Sequence, residues 1–83
     1  MNIAFYIDEM NFRGVANSTY QYSYFNEVIL KNSSIIFYNK KNKANKKQVI
    51  TKFKKRFRVV GVDHFYEIEL NKKKFNIDFI YTQ

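Results

Sequence analysis

The stretch NIAFYID, residues 2–8, decides the fold. Every residue between Asn2 and Asp8 is apolar or aromatic, without the polar alternation of a half-exposed strand. A short unbroken run of this kind reads as a strand buried on both faces, the pattern of a parallel sheet. Consecutive parallel strands need long crossover connections, so the rest of the chain has to supply them.

It does so in order. DEMNFRG, residues 8–14, is polar and turn-like. Residues 15–31 lack proline and glycine and place Val15, Ser18, Thr19, Tyr22, Ser23, Asn26, Ile29 and Leu30 on one stripe at spacings of three and four. That spacing predicts a helix whose inner face is small and polar in its first half. Asn32 is the expected left-handed cap at its end. SIIFYN, residues 34–39, is a second strand. After the loop KKNKANKK, the apolar stripe of Val49, Ile50, Phe53 and Phe57 predicts a second helix, opposite a face of Lys and Arg. RVVGV, residues 58–62, is a third strand. Asp63 is placed to cap a short helix with its side-chain oxygen, Phe65 and Ile68 forming the inner face. FNIDFIYT, residues 75–82, is a fourth strand.

The alternation of strands and helical crossovers predicts a single α/β domain over residues 1–83, a three-layer Rossmann-like half with four parallel strands. The predicted strand order is 3-2-1-4, with the switch point between strands 1 and 4. Ligands of such sheets sit at the carboxyl ends of the strands beside the switch point. That crevice brings residues 8–14 next to residues 81–83. Gly14 precedes the first helix, whose N–H groups and positive dipole end suit phosphate or sugar oxygens. Arg13 adds a forked donor, and Asp8 and Glu9 are carboxylates able to accept from sugar hydroxyls. A glycine needed only for the backbone geometry of a turn is the plainer reading of Gly14.

Composition narrows the remaining classes. The chain has 83 residues, no cysteine and 19% aromatic side chains, so disulfides and thiolate metal sites are excluded and its core rests on aromatics. No apolar run is long enough to span a membrane. The start has no basic region ahead of its apolar run, so it is no secretory signal, and a cytoplasmic protein is expected. Formal net charge is +8. Ten of the fifteen Lys and Arg residues fall between Lys40 and Arg58 with no acid among them. The other residues carry five basic and seven acidic side chains. Lys, Asn, Ile, Tyr and Phe, all with A/T-rich codons, make up 47 of the 83 residues, so genome composition contributes to the lysine content. His64 is the only histidine and lacks the partners of a metal site or a catalytic pair. No GxGxxG fingerprint, cofactor or metal motif is present.

The stretch MNIAFYIDEMNFRGVANSTYQYSYFNEVIL resembles the start of the N-terminal domain of GT-B-fold glycosyltransferases of the retaining family-4 type. Those proteins begin with a short apolar strand, a loop, a Gly-Gly-Val/Ala step and a long helix. SSIIFYN matches their second strand, and KKFNIDFIYTQ their fourth, commonly Pro-Asp-hydrophobic-hydrophobic-His-Ala-His. The resemblance implies that Gly14 stands for the second glycine of the step, with Arg13 in place of the first. It implies that Asp78 takes the family's Asp, while Tyr81 and Gln83 replace the two histidines. A glycosyltransferase-like acceptor-side portion is then expected. It would be inactive alone, because the nucleotide-sugar-binding domain lies outside these residues, and it would meet nucleotide-sugar and acceptor only when joined to that domain. Two other classes stay open. Lys40–Arg58 could make the chain a small basic nucleic-acid-binding domain. A sheet ending at four strands has an open edge, which favours a self-associating module or homo-oligomer.

Overall fold

In the computed structural model, which describes residues 1–82, the apolar run forms the first strand, β1 (Asn2–Ile7). There follow α1 (Gly14–Val28), β2 (Ser33–Asn39), α2 (Lys47–Arg56), β3 (Arg58–Val62), α3 (Tyr66–Leu70) and β4 (Phe79–Thr82). The strands form one parallel sheet in the order β3-β2-β1-β4, as the run lengths and crossovers predict. β1 is interior. It pairs with β2 from Asn2↔Ser33 to Ile7↔Tyr38 and with β4 from Ile3↔Phe79 to Tyr6↔Thr82.

Because side chains alternate along a strand, β1 feeds two cores at once. On one face Phe5 and Ile7 pack with Ile36, Met10 and Ala16, and with Val49, Phe53 and Phe57, the predicted stripe of α2 and its C-terminal neighbour. Tyr20 of α1 meets Phe53 and Phe57 edge-on, each at 5.1 Å between ring centroids. On the other face Ala4, Ile35, Phe37 and Val62 pack with Ile68 of α3 and with Ile77. α1 and α2 therefore lie on one face and α3 on the other, the arrangement that right-handed crossovers impose when the strand order reverses.

α1 departs from its predicted stripe. Its buried residues are Ala16, Thr19, Ser23 and Asn26. Thr19, Ser23 and Asn26 are where the spacing places them, but Val15, Tyr22 and Ile29 are 49%, 48% and 59% exposed. The helix is turned so that hydrogen bonds, rather than apolar area, seat its C-terminal half. Asn26 Nδ2 donates to Ser34 Oγ at 2.9 Å, and Ser34 Oγ donates to the Ser23 carbonyl at 3.1 Å. Asn32 Nδ2 donates to Asn26 Oδ1 at 3.0 Å. Glu27 accepts from the Ser34 N–H at 3.0 Å through one oxygen and from Arg56 at 2.6 Å through the other. Strand β2 and helices α1 and α2 are thereby tied at the amino end of the sheet.

Three boundaries differ from expectation. The left-handed residue after α1 is Lys31 (φ 61°), not Asn32, whose N–H returns to the Asn26 carbonyl at 2.9 Å. The first turn of α3 has no side-chain cap from Asp63. Glu67 instead reaches back and accepts from the N–H groups of Asp63 and His64 at 2.7 and 2.6 Å. Phe65 is 41% exposed but sets its ring edge-on to Tyr6 at 5.0 Å. β4 begins at Phe79 rather than Phe75, because Asn76 takes a left-handed conformation (φ 54°) and breaks the extended run. Phe75 packs its ring against Phe37, and Asp78 clasps Asn2 by accepting its N–H at 2.8 Å and donating its own N–H to the Asn2 carbonyl at 2.8 Å.

The polar seat of α1 predicts that Asn26→Leu destabilises the domain although it adds apolar area. Ser34 and Asn32 lose a buried partner, a loss of about 1–3 kcal/mol. In a domain this small each kcal/mol lowers Tm by roughly 4–8 °C. Thermal unfolding followed by circular dichroism reads the change, and an unaltered Tm would show that packing alone holds the helix.

Candidate functional site

The reversal of strand order lies between β1 and β4, and a loop leaves the carboxyl end of β1. This loop, residues 8–13, is held from the far side by the connection between β2 and α2. Asp8 accepts from Asn39 Nδ2 at 3.2 Å through Oδ1 and from Asn42 Nδ2 at 3.3 Å through Oδ2. Asn45 Oδ1 accepts the Met10 N–H at 2.8 Å, and its Nδ2 donates to the Asn39 carbonyl at 2.8 Å. The Lys46 N–H closes the latch on the Met10 carbonyl at 2.6 Å, with the Met10 side chain fully buried beneath. Tyr6 donates its hydroxyl to Asp8 at 3.2 Å. Burial first, then the Asp8 charge and this hydrogen bond, raise the pKa of the Tyr6 phenol above its ordinary value, so it remains a donor at neutral pH.

The predicted site residues separate on this framework. Asp8 is a latch: its carboxylate is shared among Tyr6, Asn39 and Asn42. Glu9 accepts from Asn11 Nδ2 at 3.1 Å, and Asn11 Oδ1 accepts the Arg13 N–H at 2.9 Å. That buried asparagine turn aims the chain into α1. Arg13 is the N-cap residue and gives no side-chain cap, and its exposed guanidinium has no ion-pair partner among the described residues. Gly14 does not have positive φ, and a Cβ built there meets nothing within 4 Å. The turn geometry therefore does not require a glycine, which corrects the plainer reading of this residue. Asp8, Glu9, Asn11, Arg13, Gly14 and Val15 line a groove of about 440 Å³. A second groove, of about 340 Å³, opens between the same loop and Ala44 and Lys46. Gln83 lies outside the described residues. Tyr81 is 40% exposed and turns its ring toward Phe5 and Tyr22.

Asn39, Asn42 and Asn45 complete this framework, although nothing in the sequence alone assigns them to it. Their three-residue spacing is visible in NKKNKAN, but it reads as an ordinary polar loop until the loop is docked on β1. A larger groove of about 640 Å³ lies between α1 and α2, lined by Tyr20, Lys47, Gln48, Thr51, Lys52 and Lys55 without a carboxylate. Lys52 sits 4.6 Å over the Tyr20 ring. His64 stacks on Tyr66 at 5.4 Å, and no cluster among the described residues has the side chains to hold a metal ion. No helix among them is long and apolar enough to cross a membrane.

The latch predicts that Asn45→Ala loosens the loop without unfolding the domain. Amide exchange at Met10 should quicken by about tenfold, the loss of roughly one net hydrogen bond. Equal exchange in both proteins would remove Asn45 from the latch.

Compared with known proteins, the chain matches no family model, no curated protein and no solved structure.

Proposed function

We propose that this domain is the acceptor-side lobe of a glycosyltransferase of the GT-B kind and has no transfer activity by itself. The observation that carries the reading is the groove at the carboxyl end of β1, rimmed by a free guanidinium, a carboxylate and a helix start with an unfilled Cβ position. The parallel 3-2-1-4 order agrees with the domain it resembles. In a complete enzyme the Glu9 carboxylate would accept from sugar hydroxyls. Arg13 and the N–H groups at the start of α1 would donate to sugar or phosphate oxygens. A second domain would bring the nucleotide-sugar across the groove. Donors held in place before charge develops on the leaving diphosphate are the electrostatic basis of such transfer. Asp8, already shared by three donors, has the role of fixing the loop rather than binding the sugar.

Gly14→Ala separates ligand contact from fold. The substitution places a methyl group in open space at the start of a helix, so stability should stay level or rise by up to about 1 kcal/mol. Binding that needs close backbone approach should fall. In heteronuclear NMR titrations with monosaccharides and with a nucleoside diphosphate, amide shifts should gather at residues 8–15, weaken in Gly14→Ala and weaken further in Arg13→Ala. Shifts absent from this loop at saturating ligand would overturn the reading.

The basic groove favours a second reading, a nucleic-acid contact along α2. Single-stranded RNA would then shift residues 47–55, and log affinity would fall with log salt by about 0.7 per phosphate contact. Binding that ignores salt would exclude it.

A further inference from the structure

α1 carries its large apolar side chains on a flank that does not face the sheet. Val15, Tyr22, Phe25 and Ile29 follow one another at helical spacing, and each is about half exposed. This flank is turned toward β4, since the Tyr22 and Tyr81 rings meet edge-on at 5.9 Å. Phe79 and Tyr81, 58% and 40% exposed, pair in register with Ile3 and Phe5 and so point to the face that α1 covers. The inner strands have α1 and α2 above them on that face. Among the described residues no helix lies over β4 there, so the α1 flank and the β4 face make the wall and floor of an apolar ledge.

We propose that this ledge, together with the open edge of β4, is where two copies of the chain associate. Three observations select a second copy as the occupant. The first is charge. The six ledge residues carry none, whereas the basic residues of Lys40–Arg58 belong to α2, its preceding loop and the start of β3. The strand order puts β3 at the opposite edge of the sheet, so two molecules of net charge +8 that join through β4 keep their basic 40–58 stretches apart. The second is the contrast between the two sheet edges. β3 is guarded by Arg58 and by the Lys40–Asp63 pair, while Phe79–Thr82 has no charge or proline. An unguarded edge offers free N–H and C=O groups that another strand satisfies. The third is self-complementarity: under a two-fold axis edge meets edge and apolar ledge meets apolar ledge. Aromatic residues of this kind commonly form the energetic centre of such contacts.

Sedimentation equilibrium of the intact chain, from micromolar to millimolar, tests this. The expected result is a reversible dimer. Tyr22→Lys and Phe79→Lys, both at exposed positions outside the ligand groove, should each weaken it by about 30-fold or more. Leu70→Lys, at a still more exposed apolar position but on α3 across the sheet, should leave it intact, and circular dichroism should show all three variants folded. A wild-type chain that stays monomeric at millimolar concentration overturns the proposal. So does association that Leu70→Lys weakens as much as the ledge variants do. Val15 borders both surfaces, but neither ledge variant falls within residues 8–15, so the outcome is distinguishable from that of the ligand reading.

Discussion

A parallel sheet has to be covered on both faces, and the packing of these helices follows from that demand. Among the described residues three helices meet it, and α3 has only five residues. The chain spends its two longer helices on one face, over β1, β2 and β3. The other face is closed by α3 with the help of Phe75 and Ile77 from the turn before β4. The short fourth strand is left with an uncovered outer part. A domain of this size buries only about 60% of its unfolded surface, so incomplete cover and exposed apolar area are expected consequences.

The way α1 is seated links this shortage to the rest of the molecule. A helix with alanine, threonine, serine and asparagine toward the sheet approaches it closely but contributes little apolar burial. Hydrogen bonds to β2 and the Glu27–Arg56 pair make up the difference and fix the rotation of the helix. The same rotation turns Tyr22 and its neighbours toward β4. The polar seat and the apolar ledge are two sides of one choice, because a helix that buries its small residues shows its large ones.

The β1–α1 loop depends on the same economy of parts. With no cysteine in the chain, its conformation is held by asparagine side chains from the β2–α2 connection. Asparagine suits this task because it both donates and accepts, and Asn45 does both at once. The outcome is a loop braced on its far side and free on the side of Arg13 and Gly14. A braced loop presents its groups to a ligand with little further ordering, which is what a binding lip requires.

By itself the sequence determined the element order, the parallel pairing and the 3-2-1-4 arrangement. Those follow from local run length, crossover length and handedness, and a twisted chain has few other ways to connect them. It also put Glu9, Arg13 and Gly14 in the connection after β1, because that position depends only on the order of elements. Only the tertiary structure decided which of two stripes α1 buries, since Val15, Tyr22 and Ile29 share helical spacing with Thr19, Ser23 and Asn26. The choice was made by Ser34 and Arg56, partners that local spacing does not reveal. Likewise Asp8 reads as a free carboxylate along the chain, and becomes a latch only when Asn39 and Asn42, more than thirty residues away, fold against it. Local periodicity reports which residues are able to face inward. The non-local hydrogen bonds, each about 1 kcal/mol and together comparable to the stability of a small domain, settle which of them do.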